Sequence, residues 1–158
     1  MNSTSTFPSV LRELLRTHQA FLAYAASHVC TLDLTLPQYD IIITLGDSNG
    51  MTFKKLGEKT LITKGTLTGV IGRLEDKGLV QRVASETDGR SQIVKLTAAG
   101  EDVYQRSFPE HLSFINRIFD DYSPEDIVNL EDSLKRLHKT VTALRNNESG
   151  MPSDETDQ

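Results

Sequence analysis

Residues 52–96 constrain this chain more than any other stretch. Thr52 stands where a helix cap would, ahead of Phe53 and Leu56, which a short helix would turn inward. After Leu61 and Ile62, Thr63 is placed to cap a second helix. Leu67, Val70, Ile71 and Leu74 then recur at the i, i+3, i+4, i+7 spacing of one buried face, and Lys77-Gly78 closes the helix. The pattern next switches to alternation. Residues 79–85 and 91–96 read as strands flanking residues 86–90, with Asp88-Gly89 at a hairpin tip. Two short helices joined by a tight turn and followed by a hairpin make a winged helix-turn-helix, whose second helix and wing suit the grooves of DNA.

Charge sharpens that reading. The chain of 158 residues has a net charge of −5, which by itself argues against a nucleic-acid partner. Residues 52–96, however, carry nine Lys/Arg against five Asp/Glu: Lys54, Lys55, Lys59, Lys64, Arg73, Lys77, Arg82, Arg90 and Lys95. The segment is thus +4 and the rest of the chain −9. A basic middle in an acidic body is what a local polyanion-binding face requires. Charge alone leaves ordinary solvated surface equally open. Arg90 adds a positional argument, because an arginine at a hairpin tip is a poor core residue and a good probe of a narrow minor groove. Asp88 could orient its guanidinium by a paired hydrogen bond; a solvated turn is the plain alternative.

The flanks read as helices. From Pro8 to about Cys30, Val10, Leu11, Leu14, Leu15, Phe21, Leu22, Ala25 and Val29 fall at helical spacing. Pro37 sits where a first-turn proline is tolerated, and residues 38–45 form a very apolar helix with Tyr39, Ile42, Ile43 and Leu45 on its face. Thr97 opens a further helix running towards Tyr122, with a kink expected at Pro109. Ser123 followed by Pro124, Glu125 and Asp126 starts a last helix to about Arg145, striped by Ile127, Leu130, Leu134, Leu137, Val141 and Leu144.

TKGTLTGVIGRLEDKGLVQR followed by DGRSQIVKLTAAG closely resembles the MarR (multiple antibiotic resistance regulator) family, and LTLPQYDIIITL matches that family's lead-in to its second helix. The resemblance covers roughly residues 8–146. It implies a mainly α (α+β) fold: a winged helix-turn-helix DNA-binding lobe with a helical dimerisation lobe built from the N- and C-terminal helices. On that basis residues 8–145 form one domain. The winged helix spans 52–96, with the helix-turn-helix at 53–77 and the wing at 79–96. The dimerisation helices are 8–30 and 97–145, and 146–158 are a disordered acidic tail. The resemblance further implies a homodimer on palindromic double-stranded DNA, a repressor by family habit, released by a small ligand or an oxidant. By position, Lys64, Thr66, Thr68 and Arg73 match the recognition-helix residues that face DNA, and Asp88 and Arg90 the wing pair. Gly69 departs from the pattern, since the family often has a long polar or basic residue there, commonly Arg. Gly65, Gly69 and Gly72 lie opposite the apolar stripe, where they would let the helix backbone approach DNA closely.

The sensing function is less defined. Arg16, Tyr24, His28 and Tyr39 are candidates to line an inter-helix pocket for an aromatic acid; packing at a dimer interface is the alternative. Cys30, the only cysteine, rules out an internal disulfide and fits a reducing cytoplasm. It lacks a neighbouring Lys or Arg and is expected to be buried and inert. No cofactor or metal is expected: no two histidines have metal-helix spacing, and a zinc site of His28, Cys30 and His111 would need the first and fifth helices to meet. The start MNSTSTFPSV lacks the basic and apolar regions of a signal peptide, and no run reaches a membrane span. No P-loop, G-x-G-x-x-G, G-x-S-x-G or H-E-x-x-H occurs, which argues against an enzyme. A winged helix used only for protein contacts is the competing reading.

Overall fold

The computed structural model of the protein describes residues 6–60, 62–84 and 92–149. The wing tip, with Asp88 and Arg90, lies outside the described residues. Two compact units divide between Ile115 and Asn116.

In the first unit, α1 spans Thr6–Val29 and runs into a 3-10 turn at Cys30–Leu32. Asp33 ends that turn in the left-handed region, at φ 55. α2 spans Leu36–Leu45, two residues earlier than the sequence pattern suggests. The reason is a capping box: Gln38 N–H donates to Thr35 Oγ1 at 3.4 Å, and Thr35 N–H donates to Gln38 Oε1 at 3.0 Å. The buried face of α2 is also wider than expected. Gln38 and Ile41 are buried beside Tyr39, Ile42 and Leu45, while Ile43 is only half-buried.

A two-residue strand, β1 (Met51–Thr52), leads into α3 (Phe53–Lys59), which Thr52 caps by accepting from Lys55 N–H at 3.3 Å. α4 follows at Lys64–Asp76, then β2 (Val80–Ala84), β3 (Gln92–Leu96) and α5 (Ala98–Asn116). The sheet is antiparallel in the order β1-β3-β2, with Met51 opposite Val94 and Val80 opposite Leu96. β1 was not expected from the sequence; two residues cannot display an alternation. α5 passes through Pro109 and ends at Asn116, and a 3-10 turn at Arg117–Phe119 replaces the expected continuation to Tyr122.

One core joins these elements. Leu67, Val70, Ile71 and Leu74 of α4 pack with Leu56, Tyr39, Ile41, Ile42, Leu45, Val80, Val94 and Tyr104. Each fully buried aliphatic side chain contributes about 1.5–3 kcal/mol. The junction of α4, wing and α5 is tied by backbone. Gly78, at φ 68, donates to Glu75 O at 2.8 Å, and Leu79 N–H donates to Leu74 O at 2.9 Å, which closes α4 in a Schellman turn. Thr97 Oγ1 donates to Gly78 O at 2.6 Å and accepts from Gly100 N–H at 3.1 Å, capping α5 on the same spot. A Cβ on Gly100 would lie 2.0 Å from Leu79 O, so only glycine allows this approach.

The second unit holds α6, Pro124–Ser149. Ser123 Oγ accepts from Asp126 N–H at 3.2 Å, and Asp126 Oδ2 accepts from Ser123 N–H at 3.0 Å. The helix continues past the expected end at Arg145, so residues 146–149 are helical rather than tail; 150–158 lie outside the described residues.

Candidate nucleic-acid interface

The core fixes which side of α4 faces outward. With Leu67, Val70, Ile71 and Leu74 at 0–2% exposure, Lys64, Thr66, Thr68, Gly69 and Arg73 all stand exposed. On an ideal helix of about 100° per residue, Gly65, Gly69 and Gly72 run down the middle of the outward side. Thr66 and Arg73 then flank them on one edge, Lys64 and Thr68 on the other. A Cβ at any of the three glycines would meet nothing within 4 Å, so the groove they leave is not filled by this chain. Thr63 precedes the helix without capping it through its side chain; its Oγ1 instead lies 3.0 Å from Thr66 Oγ1. The amide end of α4 thus adds its partial positive charge to that of Lys64.

Part of the basic middle is engaged elsewhere. Lys77 Nζ donates to Asp33 O at 2.7 Å and Oδ2 at 2.8 Å, tying the end of α4 to the turn after α1; the ammonium holds the Asp33 carboxyl below its usual range. Arg82 of β2 pairs with Glu75 at 2.9 Å and lies over the Phe53 ring at 5.2 Å, so it links α3, α4 and the wing. Lys59 lines a cavity. Lys54, Lys55, Lys64 and Arg73 are exposed, and Lys95 of β3 is half-buried.

That cavity, of about 360 Å³ and open to solvent on one side, is lined by residues of α1, α2, α3 and α5 together with Ile62. Its wall is mainly apolar, with Phe21, Leu22, Ala25, Leu36, Pro37 and Ile43 among its residues. Tyr39, His18, Lys59, His111 and Asp40 supply the polar groups. The four ligand candidates read from the sequence are not brought together. Tyr39 lines the cavity. His28 sits behind it, with Nδ1 3.1 Å from Nδ1 of the lining His111. Tyr24 stacks on Phe114 at 4.3 Å and donates to Phe114 O at 3.0 Å, away from the wall. Arg16 faces solvent and pairs with Glu13 at 3.2 Å. The sequence reading missed His18 and Lys59, one turn from positions it had marked as apolar.

Burial, and then the neighbouring His28, push the His111 imidazole below its usual 6.5. Burial raises the Tyr39 phenol, whose oxygen accepts from Ser107 Oγ at 3.2 Å. Cys30 corrects an expectation: its thiol is exposed rather than buried and donates to Ser27 O at 3.1 Å, because it opens the surface turn after α1. Helices α1 and α5 do meet at His28 and His111. Among the described residues, no group of three His, Cys, Asp or Glu side chains is placed to hold a metal ion.

A helix laid outward on a winged helix-turn-helix, with threonines and basic groups on its exposed side, defines a DNA-binding transcriptional regulator. The MarR family profile matches residues 32–91. The organic hydroperoxide resistance transcriptional regulator of Bacillus subtilis (strain 168) is 31% identical over 138 residues, covering 80% of this chain and 91% of the relative. The crystal structure of AbsC, a MarR family transcriptional regulator from Streptomyces coelicolor, aligns with a TM-score of 0.79 at 27% identity, over 90% of this chain and 99% of that one. NadR in complex with 4-hydroxyphenylacetate aligns with a TM-score of 0.68 at 28% identity, over 87% and 97% of the two chains. The chain belongs to the MarR family. These relatives are transcriptional regulators, which supports DNA binding over a winged helix used only for protein contacts. No described helix is long and apolar enough to cross a membrane.

Proposed function

We propose that the protein is a homodimeric repressor of palindromic operators in the cytoplasm, acting by binding and not by catalysis. The observation that carries this reading is the outward side of α4, built from Lys64, Thr66, Thr68, Gly69 and Arg73 over a fully buried opposite face. Arg73 and Lys64 meet phosphate or guanine, the threonines read base edges, and the glycines allow the helix backbone close to the groove. Arg90, oriented by Asp88, extends the contact through the wing. The apolar residues that α1 and α6 each leave exposed supply the surface for a second copy. Two recognition helices about 34–36 Å apart then address successive major grooves.

Release in this reading comes from a small aromatic acid in the cavity, with its ring against Phe21, Leu22 and Tyr39 and its carboxylate towards Lys59 and His18. NadR, a structural neighbour, was solved with such an acid. A ligand that shifts α1 or α5 against α3 changes the spacing of the two reading heads, and affinity falls because both halves no longer dock together.

The test is a salt-dependent titration of duplex DNA with wild type and Arg73→Ala, followed by operator selection. A steep negative salt slope that flattens in the variant supports the reading. A folded dimer that binds no DNA at low salt overturns it. Addition of 4-hydroxyphenylacetate to the operator complex tests release.

A further inference from the structure

His28 of α1 and His111 of α5 meet through their ring nitrogens. Their Nδ1 atoms lie 3.1 Å apart, with ring centroids 5.1 Å apart and the planes inclined by 47°. Two imidazole nitrogens at this distance share one proton: one Nδ1 donates and the other accepts. The donor ring therefore has a bare Nε2, and the acceptor ring carries its own proton at Nε2. One more proton fits on the donor ring's Nε2 with the contact intact, giving an imidazolium hydrogen-bonded to a neutral imidazole. A further proton has only the accepting Nδ1 left to occupy, and would set two N–H groups face to face. The pair is thus built to hold one added proton.

We propose that this pair couples the cavity to proton uptake: an anionic occupant enters together with one proton, which is held by His28 and His111. The inference rests on the cavity being an effector site and adds how that site meets the charge of its ligand. His111 lines the same cavity as Lys59 and His18, so an anion held towards those two also acts on the charge of its ring. The wall is otherwise mostly apolar, and a carboxylate brought into such a wall needs countercharge. Among the described residues, the titratable groups that share the cavity with the pair come from each packed element. α1 contributes His18, α3 contributes Lys59, and α2 contributes Asp40 and the Tyr39 phenol, whose ring meets His111 at 4.8 Å. On α5, Glu110 stands next to His111 in the chain. Lys59 is exposed to solvent, which weakens its charge as a partner for a buried anion. The Phe114 ring is stacked on His28 at 4.9 Å, and its face favours a cation without neutralising it. Burial, and then His28, push the His111 imidazole below its usual 6.5, towards the neutral form. An anion reverses that preference, and the proton comes from solvent. Linkage then requires anion affinity to rise as pH falls, by at most about tenfold per pH unit for one proton.

The experiment is calorimetric titration of the full chain with 4-hydroxyphenylacetate near neutral pH, in buffers of different ionisation enthalpy, which reads protons taken up per ligand. The result expected is an uptake approaching one proton per site in wild type, lost in both His28→Gln and His111→Gln. Binding without proton uptake overturns the coupling and leaves the cavity reading standing. Uptake that persists in both variants does the same, because the proton then sits elsewhere, on the ligand or on His18 of the same wall. Absence of any binding overturns the cavity reading and the coupling together. Imidazole nitrogen NMR of the wild type supplies a check that needs no variant. One ring protonated at Nδ1 beside one bare Nδ1 supports the pair as drawn; both rings protonated only at Nε2 overturn it.

Discussion

Helices α4 and α6 repeat apolar residues at the same helical interval, yet the two stripes end in opposite environments. In α4, Leu67, Val70, Ile71 and Leu74 are 0–2% exposed. In α6, Leu134 is 48% exposed and Leu144 58%. The difference lies in what each helix has within reach. α4 is short, is closed by the Gly78 turn, and is met by α2, α3 and β2 of its own chain. α6 runs for 26 residues, and none of its described side chains is buried. A periodic stripe therefore commits a helix to burial, at about 1.5–3 kcal/mol per large aliphatic residue, without stating what covers it. On α4 the chain covers the stripe itself. On α6 we assign the cover to a second copy.

The comparison breaks most sharply on α6. Leu130→Glu with Leu134→Glu should convert the dimer to monomer in sedimentation velocity, and lower operator affinity by at least about a hundredfold through loss of bivalency. The first unit should keep its fold. A variant that stays dimeric would show that something other than a second copy covers this stripe. On α4 the same kind of change acts within one chain. Ile71→Ala should cost about 2–5 kcal/mol in urea unfolding, with no change in oligomeric state beyond what unfolding causes. Together the two variants separate burial by association from burial by folding.

The same contrast explains what was legible in the sequence. The buried face of α4 was plain from four positions, and the outward side followed from it, because a helix has only one opposite face. The Thr52 and Ser123 caps were legible for the same reason: their signals are local. β1 was not, since its pairing of Met51 with Val94 joins residues far apart in the chain and shows no alternation. Ile41 was missed because α2 is apolar nearly all round, so no wheel distinguishes its sides. The cavity was the hardest feature to read. Its wall gathers His18, Tyr39, Lys59 and His111 from four helices, and no spacing along the sequence brings them together. Arg16 looked equally suitable as an anion partner, but its position on α1 turns it to solvent beside Glu13.

The two faces of α4 can themselves be set against each other. Gly69 lies on the exposed side, and an added Cβ there meets nothing within 4 Å. Gly69→Ala should therefore stabilise the helix by up to about 1 kcal/mol, seen as a higher urea midpoint. If the glycines admit the DNA backbone, the same variant weakens operator binding, and Gly69→Leu abolishes it. Stability and affinity then move in opposite directions, which no change on the buried face can produce. Unchanged affinity in Gly69→Leu would remove the close-approach role and leave base reading to Thr66, Thr68 and Lys64.

The smallest expected effect tests burial of a different kind. The α4 stripe contains no ionisable group, so its contribution is independent of pH. His111 is buried in the same unit with its imidazole held below 6.5, chiefly by loss of water and then by His28. A depressed histidine is neutral in the fold and takes up a proton more readily when unfolded. Its contribution to stability is present above 6.5 and is lost as pH falls towards the lower folded value. The urea midpoint should thus decline as pH drops from neutral into the mildly acidic range, and the decline should shrink in His111→Gln. Ile71→Ala should lower the midpoint at every pH by a similar amount and leave its slope against pH unchanged. A slope that disappears in Ile71→Ala, or survives intact in His111→Gln, would place the acid sensitivity on a group other than His111. It would then have to be sought among His18, His28 and His138, because carboxylates protonate lower on the pH scale.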